Sequence, residues 1–296
     1  MPERKSSPGR HKSSSWDVGI ATSSEEREIN PDDDLLLACL WSRGLSASMA
    51  AWDDPRISWS NYRLLIIRST WNYQLQRDRY LKWAKSAGKL SSLWNRASTL
   101  EWNTHKKYLH DLEAKGVPIV PTLLLPAGTS PDLGALMEEN EWSHVVVKPA
   151  VSAGARLTYA VDAKSLSSGQ ARLNESLQEE DMMVQPYIHS VETIGERCLI
   201  FIDGQFSHAV CKEPVLVTQT QRLIARSVRA TDAQKALARK ALAACPEPTI
   251  YARVDMVQDA ARKWRIGEVE VTEPYLYLGN HPPSAEALAS AIQQRL

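Results

Sequence analysis

Several features that mark other classes of protein are scarce in this 296-residue sequence. Its 4 cysteines lie far apart with no C-x-x-C pair, which argues against a disulfide framework or a thiolate zinc site and favours buried free thiols. The 35 Lys and Arg residues balance the 35 Asp and Glu residues, so no net charge attracts the chain to nucleic acid or to an anionic membrane. No apolar run approaches the roughly 18 residues that span a bilayer. We therefore expect a soluble, cytoplasmic protein that binds neither nucleic acid nor membrane.

The common sequence fingerprints of nucleotide and metalloprotease sites are absent as well. The chain contains no G-x-x-x-x-G-K-S/T, no G-x-G-x-x-G after a strand-like run and no H-E-x-x-H. If the protein uses a nucleotide, another scaffold must hold it.

The pattern of apolar segments predicts an α/β domain followed by α+β structure. Hydrophobic residues make up 43% of the chain, enough to bury a sizeable core, whereas residues 1–15 are polar and predict a disordered tail. Residues 16–103 predict a small parallel α/β domain, because the run 62–70 has the continuous apolar centre of a strand buried on both faces. The remainder is predicted to be rich in antiparallel strands, with a type I′ hairpin turn at Asp203-Gly204. The predicted helices are 32–45 with Asp33 or Asp34 as its cap, 80–87, 104–115, 133–139, a helix capped by Thr231 or Asp232 that ends near 244, and 284–295.

Three carboxylates in the last third of the chain form the clearest candidate metal site. Glu268 and Glu270 are two residues apart in a strand-like run, so both point to one face with side chains roughly 7 Å apart. Asp255 lies among apolar residues of the preceding strand-like run. Carboxylates on adjacent strands repel one another unless a cation lies between them, and Mg²⁺ prefers such ligands together with phosphate oxygens. The alternative is a solvated acidic face with Arg253 or Arg265 as a partner.

Two lysines and a turn of small residues form a candidate phosphate site. Lys148 ends a β-branched strand-like run and is followed by a small-residue turn at 152–155, whose backbone N–H groups can approach a phosphate closely. Lys106 opens the predicted helix 104–115, where a cation and a helix N-terminus together can receive an anion. The alternatives are an ordinary tight turn and a solvated lysine.

Two further segments are candidates for ligand contacts. The run 185–187 ends a strand and forms either a hinge that offers backbone groups to a purine or a strand terminated by proline. Arg68, Trp71 and Tyr73 follow the buried strand of the first domain, and ligands of open α/β sheets tend to bind at such strand ends. Packing of the tryptophan is the alternative there.

Taken in order, these motifs resemble the ATP-grasp superfamily of carboxylate–amine ligases over residues 16–296. The segments that carry the resemblance are RSTWNY, WNTHKKYL, GVPIVPT, VVVKPAVSAGARLT, VQPYI with GER, FIDGQFSHAVCK, RVDMV and EVEVTEPYL. No single motif decides it, but their joint order and spacing are specific. The strongest resemblance is to the O-ureido-serine cyclo-ligase group of the D-cycloserine pathway, within the glutathione-synthetase-like members.

The resemblance implies an ATP-grasp fold, with an N-terminal domain at 16–103, a central subdomain at 104–184 and a C-terminal subdomain at 185–296. It implies ATP bound between the two subdomains, usually with two Mg²⁺ ions and with Mn²⁺ as a possible substitute. The residues that it assigns to ATP are Lys106, Lys148, Ser152, Ala153, Gly154, Gln185, Pro186, Tyr187, Ile188 and Glu196. It assigns the metal to Asp255, Glu268 and Glu270. It assigns catalysis to Lys212, near the transferred phosphate, and to Arg253, which with Arg68 would hold the substrate carboxylate beside Ser69, Trp71 and Tyr73.

The stretch after Lys212 departs from that branch. It reads EPVLVTQTQRLIARSVRA and has no glycine, where the branch carries a run containing Gly and Arg. Arg222 or Arg226 is the candidate replacement for the missing phosphate-contacting arginine. Glu270 stands where glutathione-synthetase-like enzymes more often carry Asn. The departures bear on the identity of the substrate more than on ATP binding.

The sequence therefore predicts an ATP- and Mg²⁺-dependent ligase of small-molecule or natural-product biosynthesis. It would activate a carboxylate as an acyl phosphate and form an amide-type C–N bond on an amino-acid-like substrate, by ring closure or by ligation. One alternative is an L-amino-acid ligase that makes a dipeptide or γ-glutamyl product, and another is a nucleotide-binding protein without turnover. Peptide tagging of a protein partner has little support. The expected partners are a small-molecule amino acid and a second copy of the chain in a homodimer.

Overall fold

Three β-sheets organise the part of the chain that the computed structural model describes, residues 16–26, 30–212 and 225–296. The first sheet is parallel, has the order β2-β1-β3-β4, and consists of β1 (Trp16–Thr22), β2 (Ala47–Ala51), β3 (Tyr62–Ile67) and β4 (Ser92–Trp94). The middle sheet is antiparallel, has the order β5-β8-β6-β7, and consists of β5 (Leu123–Leu125), β6 (His144–Pro149), β7 (Tyr159–Asp162) and β8 (Met182–Pro186). The C-terminal sheet is antiparallel, has the order β11-β10-β9-β12-β13, and consists of β9 (Glu196–Ile202), β10 (Gln205–Lys212), β11 (Ala225–Val228), β12 (Tyr251–Gln258) and β13 (Trp264–Glu270). The parallel first sheet and the antiparallel sheets after it confirm the predicted fold class.

Helices accompany all three sheets. They are α1 (Pro31–Ser42), α2 (Arg77–Leu90), α3 (Ala97–Asn103), α4 (Tyr108–Ala114), α5 (Leu133–Glu139), α6 (Leu166–Ser176), α7 (Ser190–Ile194), α8 (Asp232–Leu242) and α9 (Pro283–Gln293). Within the described ranges, none of them combines the length and the apolar character needed to cross a membrane. All four cysteines are free; Cys198 and Cys211 are buried, as predicted, whereas Cys39 and Cys245 are only partly buried.

Local sequence signals explain several of these elements. Asp203 and Gly204 both have positive φ, 49° and 72°, which a type I′ turn between β9 and β10 requires. The helix α8 begins with a capping box, in which the Thr231 hydroxyl accepts from the Gln234 N–H and the Gln234 side chain accepts from the Thr231 N–H. The predicted hairpin and the predicted cap at Thr231 are therefore confirmed.

Elsewhere tertiary contacts move the boundaries of the elements. The cap of α1 is Asn30, whose side chain accepts from the N–H groups of Asp32 and Asp33, so the predicted cap at Asp33 or Asp34 is wrong. The helix α2 continues past Gly88 to Leu90, because packing of its buried face outweighs the roughly 1 kcal/mol that a glycine costs in a helix.

The predicted helix 104–115 is also divided. The structure has α3 up to Asn103 and α4 from Tyr108, with a turn between them that contains Lys106. Tertiary bonds impose this break, because the Asn103 side chain bonds to the backbone of β13 and the following residue, and the Lys106 N–H donates to the oxygen of Ala150. Lys106 consequently lies before α4 and not in its first turn.

The first sheet and the C-terminal sheet share one hydrophobic core. Leu36 and Leu40 of α1 pack in the same cluster as Leu64 of β3 and Ile200 of β9. This packing places the N-terminus of α1 next to the chain that follows β13.

The predicted domain boundaries at 103 and 184 stay predictions. The strand β8 extends across residue 184, because it pairs with β6 of the middle sheet up to Pro186. The predicted tail lies outside the described residues.

Candidate active site

The three predicted carboxylates meet on one face of the C-terminal sheet. Asp255 in β12 lies directly opposite Glu268 in β13, and Arg253 lies opposite Glu270. One oxygen from each of the three carboxylates can be chosen so that all lie within 4.8 Å of one another. Asp255 is fully buried, and the side chains of Glu268 and Glu270 are 23% and 24% exposed. The period of two along β13 therefore puts both glutamates on the same face, as the spacing predicts.

Each carboxylate of the cluster pairs with a cation. Lys106 forms an ion pair with Glu268, and Arg253 forms one with Glu270. The Arg253 guanidinium also donates two hydrogen bonds to Asp255, at 2.8 and 2.9 Å. The alternative interpretation, a solvated acidic face, also predicted Arg253 or Arg265 as the partner. Arg253 does pair with the cluster, whereas Arg265 pairs with Asp259. The partial burial of the glutamates favours a charged site over a solvated face.

Burial and neighbouring charges shift the pKa values of the three carboxyls in different directions. Burial raises the pKa of Glu268, but the charge of Lys106 and other nearby cations outweighs burial and lowers it to about 2. Burial also raises the pKa of Asp255, and the charge of Arg253 reverses that shift, so this pKa is lowered. At Glu270 burial dominates, despite Arg253, and the other two carboxylates add to it, so its pKa rises to about 7.

A magnesium ion fits this group of ligands. The donors are hard carboxylate oxygens from adjacent strands, which Mg²⁺ binds together with phosphate oxygens and water. A cation among the three oxygens would favour the ionised form of Glu270, which otherwise keeps its proton up to about pH 7. Asp255, Glu268 and Glu270 are the residues that would hold it.

The two predicted phosphate lysines lie beside the carboxylates. The ammonium of Lys106 donates to the backbone oxygen of Ser152, at 3.3 Å, in addition to its ion pair with Glu268. Burial lowers the pKa of Lys148, and the charge of Glu268 acts on it in the opposite sense. The structure thus brings Lys106, Lys148 and the small-residue turn to one place.

The small-residue turn after β6 contacts the first domain. The Ala153 N–H donates to Oε1 of Gln74, at 2.5 Å. Gly154 and Ala155 both have left-handed backbone, with φ of 63° and 59°. Left-handed residues in a turn can aim successive N–H groups at one anion, which is the geometry of a phosphate-binding nest. The role of this turn stays a prediction.

Lys212 and Glu196 form a further ion pair next to Asp255. Nζ of Lys212 lies 2.6 Å from Oε2 of Glu196 and 3.6 Å from Oδ2 of Asp255. These two residues end β10 and begin β9, so the antiparallel register of the hairpin places them opposite each other. The arrangement adds a third lysine beside the carboxylates.

The predicted adenine hinge connects β8 to α7. Gln185 lies within the sheet and donates from Nε2 to the Thr122 hydroxyl, at 2.9 Å. The Tyr187 N–H donates to the backbone oxygen of His144, at 2.8 Å, and the two rings stack with their centres 4.0 Å apart. Pro186 carries no N–H and the Tyr187 N–H is engaged with His144, so the contact of this hinge with a base stays a prediction.

The predicted substrate residues after β3 are held in structural bonds. The Arg68 guanidinium is 2% exposed and donates to Oδ1 of Asp33, at 2.8 Å, and to the backbone oxygen of Pro274, at 2.9 Å. The Ser69 hydroxyl donates to the same carboxylate, at 2.8 Å. These bonds connect Arg68 to α1 and to the segment after β13, and its predicted contact with substrate stays a prediction.

The aromatic residues of this segment are likewise engaged. The Trp71 indole N–H donates to the backbone oxygen of Glu273, at 3.1 Å, and Tyr73 packs against Tyr80 in the core of the first domain. Of the two arginines proposed for the altered stretch, Arg226 lies on β11 opposite Cys211. The other, Arg222, lies outside the described residues.

Sequence reasoning missed the contacts of Asp32 and Asp33, which bond to the segment after β13 and to Arg68 and Ser69. Oδ2 and Oδ1 of Asp32 accept from the N–H groups of Leu276 and Leu278, at 2.7 and 2.8 Å. The only signal in the sequence was a run of three aspartates at the start of a helix, which fits helix capping equally well.

Comparisons with known proteins find similarity along nearly the whole chain. Residues 18–95 match the family model described as the N-terminal domain of the D-cycloserine synthetase DcsG. The cycloserine biosynthesis protein DcsG of Streptomyces lavendulae is 29% identical over 296 residues, which cover 94% of this chain and 98% of that protein. The crystal structure of D-cycloserine synthetase DcsG superposes with a TM-score of 0.86 at 26% identity, covering 94% of this chain and 99% of that chain.

More distant structures share the fold. The ATP-grasp ligase PsnB, solved with a phosphomimetic variant of a minimal precursor, Mg and ADP, has a TM-score of 0.65 at 15% identity and covers 95% of this chain and 98% of its own. The D-alanine–D-alanine ligase of Bacillus anthracis, solved with ATP, has a TM-score of 0.64 at 13% identity and covers 95% of this chain and 97% of its own. The chain is therefore an ATP-grasp ligase by fold, is similar to the D-cycloserine synthetase DcsG over nearly its whole length, and carries a first domain that matches the N-terminal domain of that protein.

Proposed function

We propose that this ligase transfers the terminal phosphoryl group of ATP to the carboxylate of an amino-acid-like substrate, releasing ADP, and that a nitrogen of the same substrate then attacks the acyl phosphate and closes a ring as inorganic phosphate leaves. The observation that supports the proposal most directly is the cluster of Asp255, Glu268 and Glu270 among buried cations. Such a cluster suits Mg²⁺ with the phosphates of ATP. The similarity to D-cycloserine synthetase supports O-ureido-serine as the substrate class.

Neutralisation of charge is the main task of the residues in this site. A Mg²⁺ ion on the three carboxylates, with a second ion beside it, would supply charge neutralisation for the phosphates. Lys106 and Lys148 would bind the phosphates from the side of the middle sheet, and Lys212 would face the transferred phosphate from the C-terminal sheet. Phosphoryl transfer to a carboxylate depends on in-line positioning and electrostatic stabilisation, so no protein nucleophile is required.

Orientation of the substrate would fall to Arg253. Its guanidinium bonds to Asp255 through two hydrogen bonds, which fix the plane of the group, and forms an ion pair with Glu270. A substrate carboxylate could share the same guanidinium, because an arginine offers five donors in a fixed fork. The hinge 185–188 and the turn 152–155 would cover the adenine and the phosphates.

The experiment that tests the proposal is ADP release with Mg²⁺ and ATP, followed by mass analysis of the product. The panel consists of O-ureido-serine, other single amino acids and amino-acid pairs. Turnover with one amino acid alone, giving an intramolecular product, is the expected result. Turnover only with pairs would replace ring closure by intermolecular ligation. ATP binding without ADP release for any member of the panel would overturn the proposal in favour of a binding protein.

The substitution Glu270→Gln tests the metal site. We expect it to lower Mg²⁺-dependent turnover by at least about 100-fold, because the amide cannot provide the charge that holds the metal. Glu113→Gln is the matched control, since Glu113 is exposed on α4 and far along the chain from the cluster. Equal Mg²⁺-dependent turnover of wild type and Glu270→Gln would remove Glu270 from the metal site.

A further inference from the structure

The segment after β13 is held by the first domain on both sides of a single residue, Tyr277. One carboxylate oxygen of Asp32 accepts from the N–H of Leu276, at 2.7 Å, and the other accepts from the N–H of Leu278, at 2.8 Å. Asp32 is 1% exposed, so no water competes for these bonds. A buried carboxylate thus bonds to the amides immediately before and after Tyr277.

This clamp holds Tyr277 in a conformation that a tyrosine rarely adopts. Its φ of 52° and ψ of 41° lie in the left-handed region, which is unfavourable for residues with a side chain. Residues in such conformations persist where the surrounding structure over-determines them, and they cluster at ligand sites. Here Asp32 provides that constraint, and the result is a ring turned inward, with 2% of its surface exposed.

The hydroxyl of Tyr277 is buried and has no hydrogen-bond partner among the described residues. Two other buried tyrosines of the same region are satisfied: the Val269 N–H donates to Oη of Tyr108, at 3.0 Å, and Oη of Tyr251 donates to the oxygen of Thr272, at 2.9 Å. Buried tyrosine hydroxyls normally find such a partner. A hydroxyl that lacks one is ready to bond to a group that arrives with a ligand.

The ring of Tyr277 lies beside the guanidinium of Arg253. Cζ of Arg253 is 5.9 Å from the centre of the Tyr277 ring, and Nη1 of Arg253 donates to the backbone oxygen of Tyr275, at 3.1 Å. Burial raises the pKa of Tyr277 above its ordinary value, although the charges of Arg253 and Lys212 act to lower it. The phenol therefore keeps its proton at neutral pH and can donate it in a hydrogen bond.

We propose that Tyr277 determines substrate specificity by donating a hydrogen bond from its hydroxyl to a carboxylate or carbonyl oxygen of the amino-acid substrate. The inference rests on the proposed function, because it places the reacting end of the substrate between Arg253 and Tyr277. An anionic oxygen next to the guanidinium would satisfy the buried hydroxyl at the same time. Asp32 acts through Tyr277 and is a positioning residue.

The test compares Tyr277→Phe with wild type, using ADP release with O-ureido-serine and separate measurements of KM for O-ureido-serine and for ATP. A hydrogen bond to a charged oxygen corresponds to a rise in the KM for O-ureido-serine of about 10- to 100-fold, with the KM for ATP unchanged. The thermal midpoint should stay the same or rise, because the substitution removes a buried polar group that has no partner among the described residues. Tyr62→Phe is the matched control, since Tyr62 is also buried, at 7% exposed, but its hydroxyl lies 3.4 Å from the Ser48 hydroxyl in the first sheet.

The outcomes separate this inference from the proposed function. An unchanged KM for O-ureido-serine in Tyr277→Phe, with active wild type, overturns the assignment of Tyr277 and leaves the ligase proposal standing. A lower thermal midpoint with unchanged KM gives Tyr277 a purely structural role and also overturns it. Wild type that binds ATP but releases no ADP with any amino acid overturns the proposed function, and the assignment of Tyr277 falls with it.

Discussion

The buried ion pair of Arg68 and Asp33 gives a sharp prediction about stability, because the sequence had suggested a different role for the arginine. Arg68 directly follows β3 of the first sheet. Its guanidinium is 2% exposed, and Asp33 is fully buried. The pair is extended by Asp32, whose carboxylate lies 3.7 Å from the same guanidinium, and by the bond to the oxygen of Pro274. We predict that Arg68→Met destabilises the folded chain strongly.

The magnitude follows from what the substitution leaves behind. Two buried carboxylates would lose their cation, and removal of one partner of a buried ion pair costs about 3–5 kcal/mol. For a chain of this size each kcal/mol lowers the thermal midpoint by roughly 2–4 °C, so the expected decrease is ~6–20 °C. A residue that only contacts substrate would change the midpoint by far less.

The matched control is a residue of β3, the strand that Arg68 directly follows. Arg63 pairs with Asp17 at 2.8 Å, but its side chain is 47% exposed, and exposed pairs contribute only about 0–1 kcal/mol. Urea denaturation of wild type, Arg68→Met and Arg63→Met measures the difference directly. Adding Asp33→Asn to Arg68→Met should recover part of the loss, because one of the unpaired charges is then removed. A loss in Arg68→Met no larger than that in Arg63→Met would refute the structural role of Arg68.

Two further predictions concern Gly195, which directly precedes Glu196, and His208 of β10, which stacks on His281. Gly195→Ala should lower the free energy of unfolding by about 2–4 kcal/mol, because φ is 77° and the new Cβ would lie 2.5 Å from Sγ of Cys211. Gly204→Ala has a similar φ but open space around it, so it should lower that free energy by only about 1 kcal/mol. Chemical denaturation of both variants checks this, and equal losses would contradict it. Burial, with a contribution from the charge of His281, lowers the pKa of His208 to about 4, so the folded chain rejects a proton that the unfolded chain accepts near pH 6.5. The contribution of His208 to the free energy of unfolding is therefore fully present above pH 6.5 and is lost, by up to ~3 kcal/mol, as the pH falls from 6.5 through 4. His208→Gln should flatten this part of the curve of stability against pH, and an unchanged curve would contradict the assignment to His208.

The parts of the fold that were predictable are those with a local cause. The hairpin at Asp203-Gly204 needs only two residues with positive φ, and the face shared by Glu268 and Glu270 needs only the period of a strand. The superfamily was predictable because the motifs occur in a fixed order. The roles of Asp32 and Arg68 were not, since each depends on a partner brought from elsewhere in the chain by the packing of α1 against the C-terminal sheet.

The proposed substrate side of the site has a different structural origin from the proposed nucleotide side. The carboxylates, Lys148 and Lys212 proposed for metal and ATP come from the middle and C-terminal sheets, and Lys106 comes from the turn between α3 and α4. The segment that carries Tyr277 is instead held by the first domain, through Asp32, Arg68 and Trp71. That domain is the part of the chain that matches the D-cycloserine synthetase family model. On the proposed function, a change in the first domain would alter the substrate wall through these bonds, whereas it would reach the predicted phosphate turn through the bond between Gln74 and the Ala153 N–H.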